Sequence, residues 1–130
     1  MLAMRRNVSC RLAFVILFVA FFSSSCGTDS GNEIVGLMVS PASTTSSVGG
    51  ATGFHAVIRY VDEHETAADN VNWSIHGSAS MIVTSSGSEA TVMCVRPSDY
   101  FAGGYVGDNV NASCEFKGQT YSGFAVLVCR

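Results

Sequence analysis

The chain of 130 residues is long enough for one domain, and its hydrophobic content of 48% is ample for a buried core. Ten acidic residues outnumber seven lysines and arginines, which gives a formal net charge of −3 at pH 7. Because no basic patch is available to neutralise phosphates, the composition excludes nucleic acid and anionic lipid as expected direct partners.

The N-terminal segment has the plan of a secretory signal. Arg5, Arg6 and Arg11 precede eleven consecutive apolar residues, 12–22, and small residues follow. As a helix, such a run rises only about 16 Å, whereas the hydrocarbon layer of a membrane is about 30 Å thick. The sequence therefore predicts an export signal rather than a permanent transmembrane anchor.

A cysteine follows the apolar run, in the stretch "FFSSSCGTDSGNE". This stretch resembles a bacterial lipoprotein signal, in which the chain is cut after a small residue and the new N-terminal cysteine carries the lipid. The resemblance implies a signal peptide at 1–25 and lipid attachment at Cys26, before a flexible tether at 26–33. Ser23 stands where that family usually has leucine, so a cut nearby by an ordinary signal peptidase is the alternative.

Removal of the signal changes the charge of the chain and defines its expected location. Four basic residues would remain against ten acidic ones, a formal net charge of −6. Membrane attachment would then come from the lipid, whose several acyl chains exceed the marginal anchoring of a single one. Position 27 holds glycine rather than the aspartate that commonly marks inner-membrane retention in such lipoproteins. The resemblance therefore implies that the protein is anchored in the outer membrane, on its periplasmic or surface face. A protein or glycan partner is expected but not identified.

From Ile34 onward the sequence predicts about seven β-strands and no helix. Period-two alternation of apolar residues recurs between clusters of Gly, Ser and Asn. The predicted strands are "EIVGLMVS" with a short continuation in "TSSVGG", "ATGFHAVIRYV", "NVNWSI", "SMIVT", "EATVMCV", "NVNASCEF" and "TYSGFAVLVCR". Many short strands with hardly any proline indicate an all-β, antiparallel sandwich.

Alternation within these strands predicts which side chains face the core. The predicted inward residues are Phe54, Ala56, Ile58, Tyr60, Val71, Trp73, Ile75, Ala90, Val92, Cys94, Val110, Ala112 and Cys114. We expect Trp73 to lie on a central strand and to fill the space between two sheets, with a hydrogen-bond partner for its ring nitrogen.

Four short motifs follow one another in a characteristic order through the first half of this region. Pro41–Ala42 ends the first strand, Val48–Gly49 forms a turn, Phe54 and Ala56 alternate, and Val71-x-Trp73-Ser74 follows a polar loop. This order resembles a group 2 bacterial immunoglobulin-like domain. The resemblance implies an immunoglobulin-like β-sandwich at 34–130 and a non-catalytic role as a binding, adhesion or spacer module.

Three cysteines remain in the predicted domain, and disulfides persist in exported proteins. Strand directions bring Cys94 and Cys129 to the same end of a sandwich, which favours their pairing, with Cys94–Cys114 as the alternative. In the last strand, a two-residue turn at 118–119 would direct Cys129 toward the core. A three-residue turn would instead direct Phe124, Val126 and Val128 toward the core and Cys129 away from it. A catalytic thiol needs a nearby base, and the sequence places no histidine for it, so we expect a structural role for the odd cysteine.

The stretch "DEHETAADN", residues 62–70, is the most charged part of the domain, with His64 between two glutamates. A small metal-dependent hydrolytic enzyme built around His64 is the alternative function that it suggests. No His-Glu-x-x-His, phosphate-binding loop or Gly-x-Ser-x-Gly motif accompanies the stretch. We therefore predict a hydrated loop with His64 directed to solvent, no catalytic residue, no cofactor and no metal. Calcium binding by the carboxylates is a second alternative, and His55 and His76 are predicted to be surface histidines.

The link "RPSDYFAGGYVGDN" is longer than the family's usual connection and carries Tyr100, Phe101 and Tyr105 among glycines. Aromatic side chains on a glycine-rich loop suit an adaptable contact surface. The link is therefore the candidate contact loop. The alternative is that the aromatic rings cap one open end of the sandwich.

Overall fold

The computed structural model describes residues 32–130, and all regular structure in that range is β-strand. The eleven strands are β1 (Ile34–Ser40), β2 (Ser43–Ser46), β3 (Ala51–Tyr60), β4 (Glu65–Ala67), β5 (Asn72–His76), β6 (Ser80–Ser86), β7 (Glu89–Cys94), β8 (Asp99–Phe101), β9 (Gly104–Val106), β10 (Asp108–Phe116) and β11 (Gln119–Cys129). Within the same range no helix is long and apolar enough to cross a membrane. The predicted signal at 1–25, Cys26 and most of the tether lie outside the described residues.

Two main sheets pack face to face. One has the order β1-β3-β7-β6, with β4 paired to β3, and the other has the order β2-β11-β10-β5. Seven strands remain when the short strands β2, β4, β8 and β9 are set aside. Their arrangement is the immunoglobulin one, with the first, second, fifth and fourth strands in one sheet and the third, sixth and seventh in the other. The predicted all-β, immunoglobulin-like sandwich of about seven strands is confirmed.

The four short strands β2, β4, β8 and β9 lie in regions that were predicted to be a continuation of the first strand or connections between strands. At Pro41 the chain leaves the first sheet, because proline donates no ladder hydrogen bond, and β2 then pairs with β11 in parallel in the second sheet. Residues 65–67 of the predicted acidic loop form β4, which is antiparallel to β3. The long link folds into the β8–β9 hairpin.

The core lies between the sheets and consists of the inward alternate residues. The predicted series in β3, β7 and β10 are all buried, and Ile58, Val92 and Val110 are completely inaccessible. Leu37 and Val39 of β1 and Ala125, Leu127 and Cys129 of β11 belong to the same cluster, as do Ala68 and Ala79. Burial of each large aliphatic side chain contributes about 1.5–3 kcal/mol to the stability of the fold. Because the period-two pattern gives each sheet one apolar face, this contribution favours the packing of the two sheets against each other.

Trp73 departs from its predicted position. Its strand, β5, is the edge strand of the second sheet rather than a central one, and the side chain is partly buried against the core with Val71 and Ile75. Among residues 32–130 the buried Nε1 atom of Trp73 has no hydrogen-bond partner. The indole therefore closes the side of the core at an edge, where β10 lies on one flank only.

The hairpin that joins β10 to β11 turns one residue earlier than predicted. Phe116 pairs with Gln119, and the turn residues Lys117 and Gly118 both have positive φ, 49° and 77°, as a two-residue hairpin of type I′ requires. Ala112 therefore faces Gly123, whereas the two-residue turn considered at 118–119 would have placed it opposite Ala125. The shift changes the pairing by two residues, so the inward face is unchanged: Ala125, Leu127 and Cys129 are buried and Phe124 faces outward.

Candidate functional site

The β8–β9 hairpin, Asp99–Val106, is the most exposed aromatic element among residues 32–130, and we call it the contact hairpin. Tyr100 and Tyr105 face each other across it. Ala102 and Gly103 form the turn with φ of 51° and 84°. Positive φ at both positions is the type I′ geometry that matches the twist of the flanking strands. A short, regular hairpin thus replaces the irregular loop that the sequence suggested.

The root of the contact hairpin is attached to both sheets. β7 ends at Cys94, which forms a disulfide with Cys129 of β11 with the two Cα atoms 5.6 Å apart. Four residues after Cys94, Ser98 donates its N–H to the Cys129 carbonyl at 2.9 Å, and its Oγ accepts from the Cys129 N–H at 2.9 Å. The favoured cysteine pairing is therefore present, and it fixes the base of the hairpin.

The aromatic side chains of the contact hairpin lie outside the core. Tyr100 is 64% exposed, Phe101 77% and Tyr105 42%. The two tyrosine rings meet edge to face, 5.0 Å apart, and the Arg130 guanidinium lies 4.8 Å above the Tyr105 ring. Such contacts hold the rings in place without covering them. None of the three rings belongs to the buried core cluster.

Charged groups surround the base of the hairpin. The Arg96 guanidinium donates to the Ser78 carbonyl at 2.9 Å and to the Ser78 hydroxyl. It also lies 3.9 Å from the Asp99 carboxylate. The hairpin therefore presents an apolar tip above a polar base, the usual arrangement of an interface core and its rim.

The acidic stretch 62–70 is organised by internal contacts. Arg59 donates to Glu65 through Nη2 at 2.6 Å and through Nε at 3.0 Å. His64 contacts the Asp62 carboxylate through Nδ1, and its ring stacks on Tyr60 with centroids 4.0 Å apart. His64 is exposed, as predicted, and in addition its imidazole is stacked on Tyr60 and paired with Asp62.

Two of the carboxylates in this stretch already have partners. Desolvation acts to raise the pKa of the Asp62 carboxyl, but hydrogen bonds from the His64 side chain and backbone outweigh it and hold that pKa below its usual value. Glu65 is paired with Arg59. Within residues 32–130 no three His, Cys, Asp or Glu side chains group as metal ligands would. The stretch is thus an exposed surface on which part of the charge is paired internally.

Cys114 and the two remaining histidines do not assemble into a site. Cys114 is buried on β10, and burial raises the pKa of its thiol. An activated cysteine nucleophile has the opposite properties, namely exposure and a lowered pKa. His76 is exposed, as predicted, whereas His55 is half-buried with its Nδ1 atom unpartnered among the described residues.

Asp108 is a buried polar residue that the sequence patterns did not single out. It is 4% exposed, and its Oδ2 atom accepts from the N–H groups of Ala79 and Ser80 at 2.9 and 2.8 Å and from the Ser80 hydroxyl at 2.7 Å. These bonds tie the first residue of β10 to Ala79 and to Ser80, the first residue of β6. In the sequence, only its position next to the predicted strand "NVNASCEF" could have indicated that Asp108 is structurally important.

No protein-family model matches the chain, and a search of the curated proteins finds no relative.

Proposed function

We propose that this chain is a non-catalytic exported lipoprotein whose group 2 bacterial immunoglobulin-like domain is a binding module, with the contact hairpin as its contact element. One observation carries the proposal: three exposed aromatic rings stand on a hairpin whose base is fixed by a disulfide and by two hydrogen bonds of Ser98. The order of strands and the end of the first strand at Pro41 support the family resemblance.

The physical case for a contact element rests on exposed area and rigidity. Tyrosine and phenylalanine rings dominate interface energetics because each covers a large apolar area with few rotatable bonds. A hairpin that is already ordered loses little conformational freedom on binding, which favours affinity. Burial of the hairpin tip by a partner is therefore favourable, and the core of the sandwich does not include the rings of the tip.

Replacing Tyr100 and Phe101 together by serine is expected to leave the midpoint of thermal unfolding within about 2 °C of the unchanged protein, because exposed substitutions seldom alter stability by more than about 0.5 kcal/mol. Binding of the lipid-free chain, made with Cys26→Ser, to envelopes of the producing cells is expected to fall to background. Circular dichroism and envelope co-sedimentation measure the two effects.

Val83→Ser is the matched control, because Val83 is 51% exposed on β6, away from the hairpin. It should change neither quantity. A large drop in melting temperature for the hairpin variant would instead assign the rings to folding, and unchanged envelope binding would remove the hairpin as the contact element.

The lipid anchor predicts a separate result at Cys26. Full-length protein is expected to incorporate labelled palmitate and to sediment with membranes, because several acyl chains give stable anchoring. Cys26→Ser is expected to abolish the label, whereas Cys10→Ser, within the signal, should leave it unchanged. Labelling that persists in Cys26→Ser would contradict the proposed attachment site.

A further inference from the structure

The outward side of the second sheet carries a regular array of amide and hydroxyl side chains around one exposed aromatic ring. We call this array the polar face, and it consists of Asn72, Ser74, Asn111, Ser113, Ser122 and Phe124. These residues line a shallow depression of 290 Å³ on β5, β10 and β11. The contact hairpin contributes no residue to it, so the polar face is a distinct feature of the domain.

Strand register orders the polar face into two rows. Ser113 lies between Asn72 and Ser122, and in the next row Asn111 is flanked by Ser74 and by Phe124. Neighbouring strands are about 4.8 Å apart and successive outward residues about 6.8 Å apart, so the array has a fixed spacing.

The polar groups of this face are available to a ligand. Among residues 32–130, its side chains make a single hydrogen bond, from Asn111 Nδ2 to the Asn109 carbonyl at a long 3.4 Å. An asparagine amide offers two donor hydrogens and an acceptor oxygen, and a serine hydroxyl both donates and accepts. Sugar hydroxyl groups also both donate and accept hydrogen bonds, so each can donate to and accept from the side chains of the polar face.

Charge further restricts the occupant. Neither row holds an Asp, Glu, Lys or Arg, although the acidic residues of the chain outnumber the basic ones, ten to seven. The nearest charge along β10 is Glu115, one row beyond Ser113, and His76 lies in the row beyond Ser74. A charged protein surface or an anionic polymer finds no complementary charge here, whereas a neutral ligand loses nothing.

Phe124 supplies the apolar part of the site. It is 61% exposed and stands beside the depression. A pyranose ring has an apolar face of C–H groups and a rim of hydroxyls, and an exposed aromatic ring flanked by amides is complementary to both. We propose that the polar face binds a neutral, linear glycan, with Phe124 against one sugar ring and the amides of Asn72 and Asn111 bonded to hydroxyls.

Titration calorimetry of the full-length protein in detergent tests this proposal, with cellohexaose, chitohexaose and maltohexaose as neutral probes. At least one is expected to bind with a Kd of roughly 10 µM to 1 mM, as suits a shallow, open site. Phe124→Ala and Asn111→Ala are each expected to weaken binding about ten-fold, a loss of about 1.4 kcal/mol. Thr84→Ala, on exposed β6 of the other sheet, is the matched control and should bind as the unchanged protein does.

Backbone amide chemical shifts of the unchanged protein give a second readout that requires no variant. Addition of the binding hexasaccharide is expected to perturb amides of β5, β10 and β11 and to leave those of β6 unmoved. The Tyr100→Ser, Phe101→Ser variant should retain full glycan affinity, which separates this site from the contact hairpin.

Three outcomes would overturn the proposal. The first is the absence of binding by all three hexasaccharides at millimolar concentration. The second is binding that neither Phe124→Ala nor Asn111→Ala weakens. The third is concentration-dependent dimerisation that Phe124→Ala abolishes, since a second copy of the chain would then occupy the face.

Discussion

Replacing Cys94 and Cys129 together by alanine is expected to lower the free energy of unfolding by roughly 3 to 4 kcal/mol. The disulfide closes a loop of sequence separation 35, and a cross-link over such a loop restricts the unfolded chain by about that amount. Both cysteines are completely buried between the ends of β7 and β11, so the bond also joins the two sheets. Urea unfolding followed by circular dichroism measures the change.

Cys114→Ala is the matched control for the disulfide variant, because Cys114 is a buried cysteine outside any disulfide in the described part of the chain. Its removal is expected to cost only about 1 kcal/mol, the transfer contribution of one small buried group. Dithiothreitol should destabilise the unchanged protein to the level of the double variant and leave that variant unaffected. Equal stability of the double variant and the unchanged protein would show that the cross-link does not support the fold.

Asp108→Ala is expected to destabilise the domain by roughly 3 kcal/mol or more. The substitution removes the acceptor for two buried N–H groups, of Ala79 and Ser80, and for the Ser80 hydroxyl. A buried donor left without a partner costs about 1–3 kcal/mol, and bonds to a charged acceptor are the stronger ones. Because the bonds cross from β10 of one sheet to the start of β6 in the other, the loss is expected to loosen that end of the sandwich.

Asp99→Ala provides the comparison for Asp108, since the Asp99 side chain is 77% exposed and lies near Arg96 at a distance of 3.9 Å. An exposed ion pair of this kind contributes at most about 1 kcal/mol. The free energies of unfolding of the two variants, measured by chemical denaturation, should therefore differ by about 2 kcal/mol or more, because only Asp108 is buried. Similar midpoints would mean that the Asp108 bonds add nothing to stability.

Local pattern predicted the strands and their faces because burial on one side imposes a period of two residues. The inward series from Phe54 to Tyr60 and from Val110 to Cys114 were predicted correctly for that reason. Strand direction alone was enough to favour the observed Cys94–Cys129 pairing. Features set by local alternation and chain direction were thus readable from the sequence.

Features set by long-range packing were not readable in the same way. The turn at Lys117–Gly118 and a turn one residue later both contain Gly118, and the choice depends on how β11 packs. Gly123 shows this dependence, because a Cβ atom at that position would collide with the Leu37 carbonyl of β1. Only the observed register places this glycine opposite Ala112.

The candidate sites illustrate the same division. The aromatic residues of the contact hairpin were identified from composition, but the hairpin itself was missed, although Ala102–Gly103 between short alternating segments was a usable turn signal. The asparagines and serines of the polar face lie on three of the predicted strands, β5, β10 and β11. Their adjacency to Phe124, however, depends on the pairing of β10 with both β5 and β11, which no single strand reveals.

Site-specific photo-crosslinking in intact producing cells tests the proposed binding role most directly. A benzoylphenylalanine at position 101 replaces an aromatic ring that is 77% exposed at the hairpin tip, and the same residue at position 83 probes an exposed site on the other sheet. The proposal predicts a discrete cross-linked adduct from position 101 that is absent from position 83. No adduct from position 101, or the same adducts from both positions, would contradict the assignment of the hairpin as the contact element.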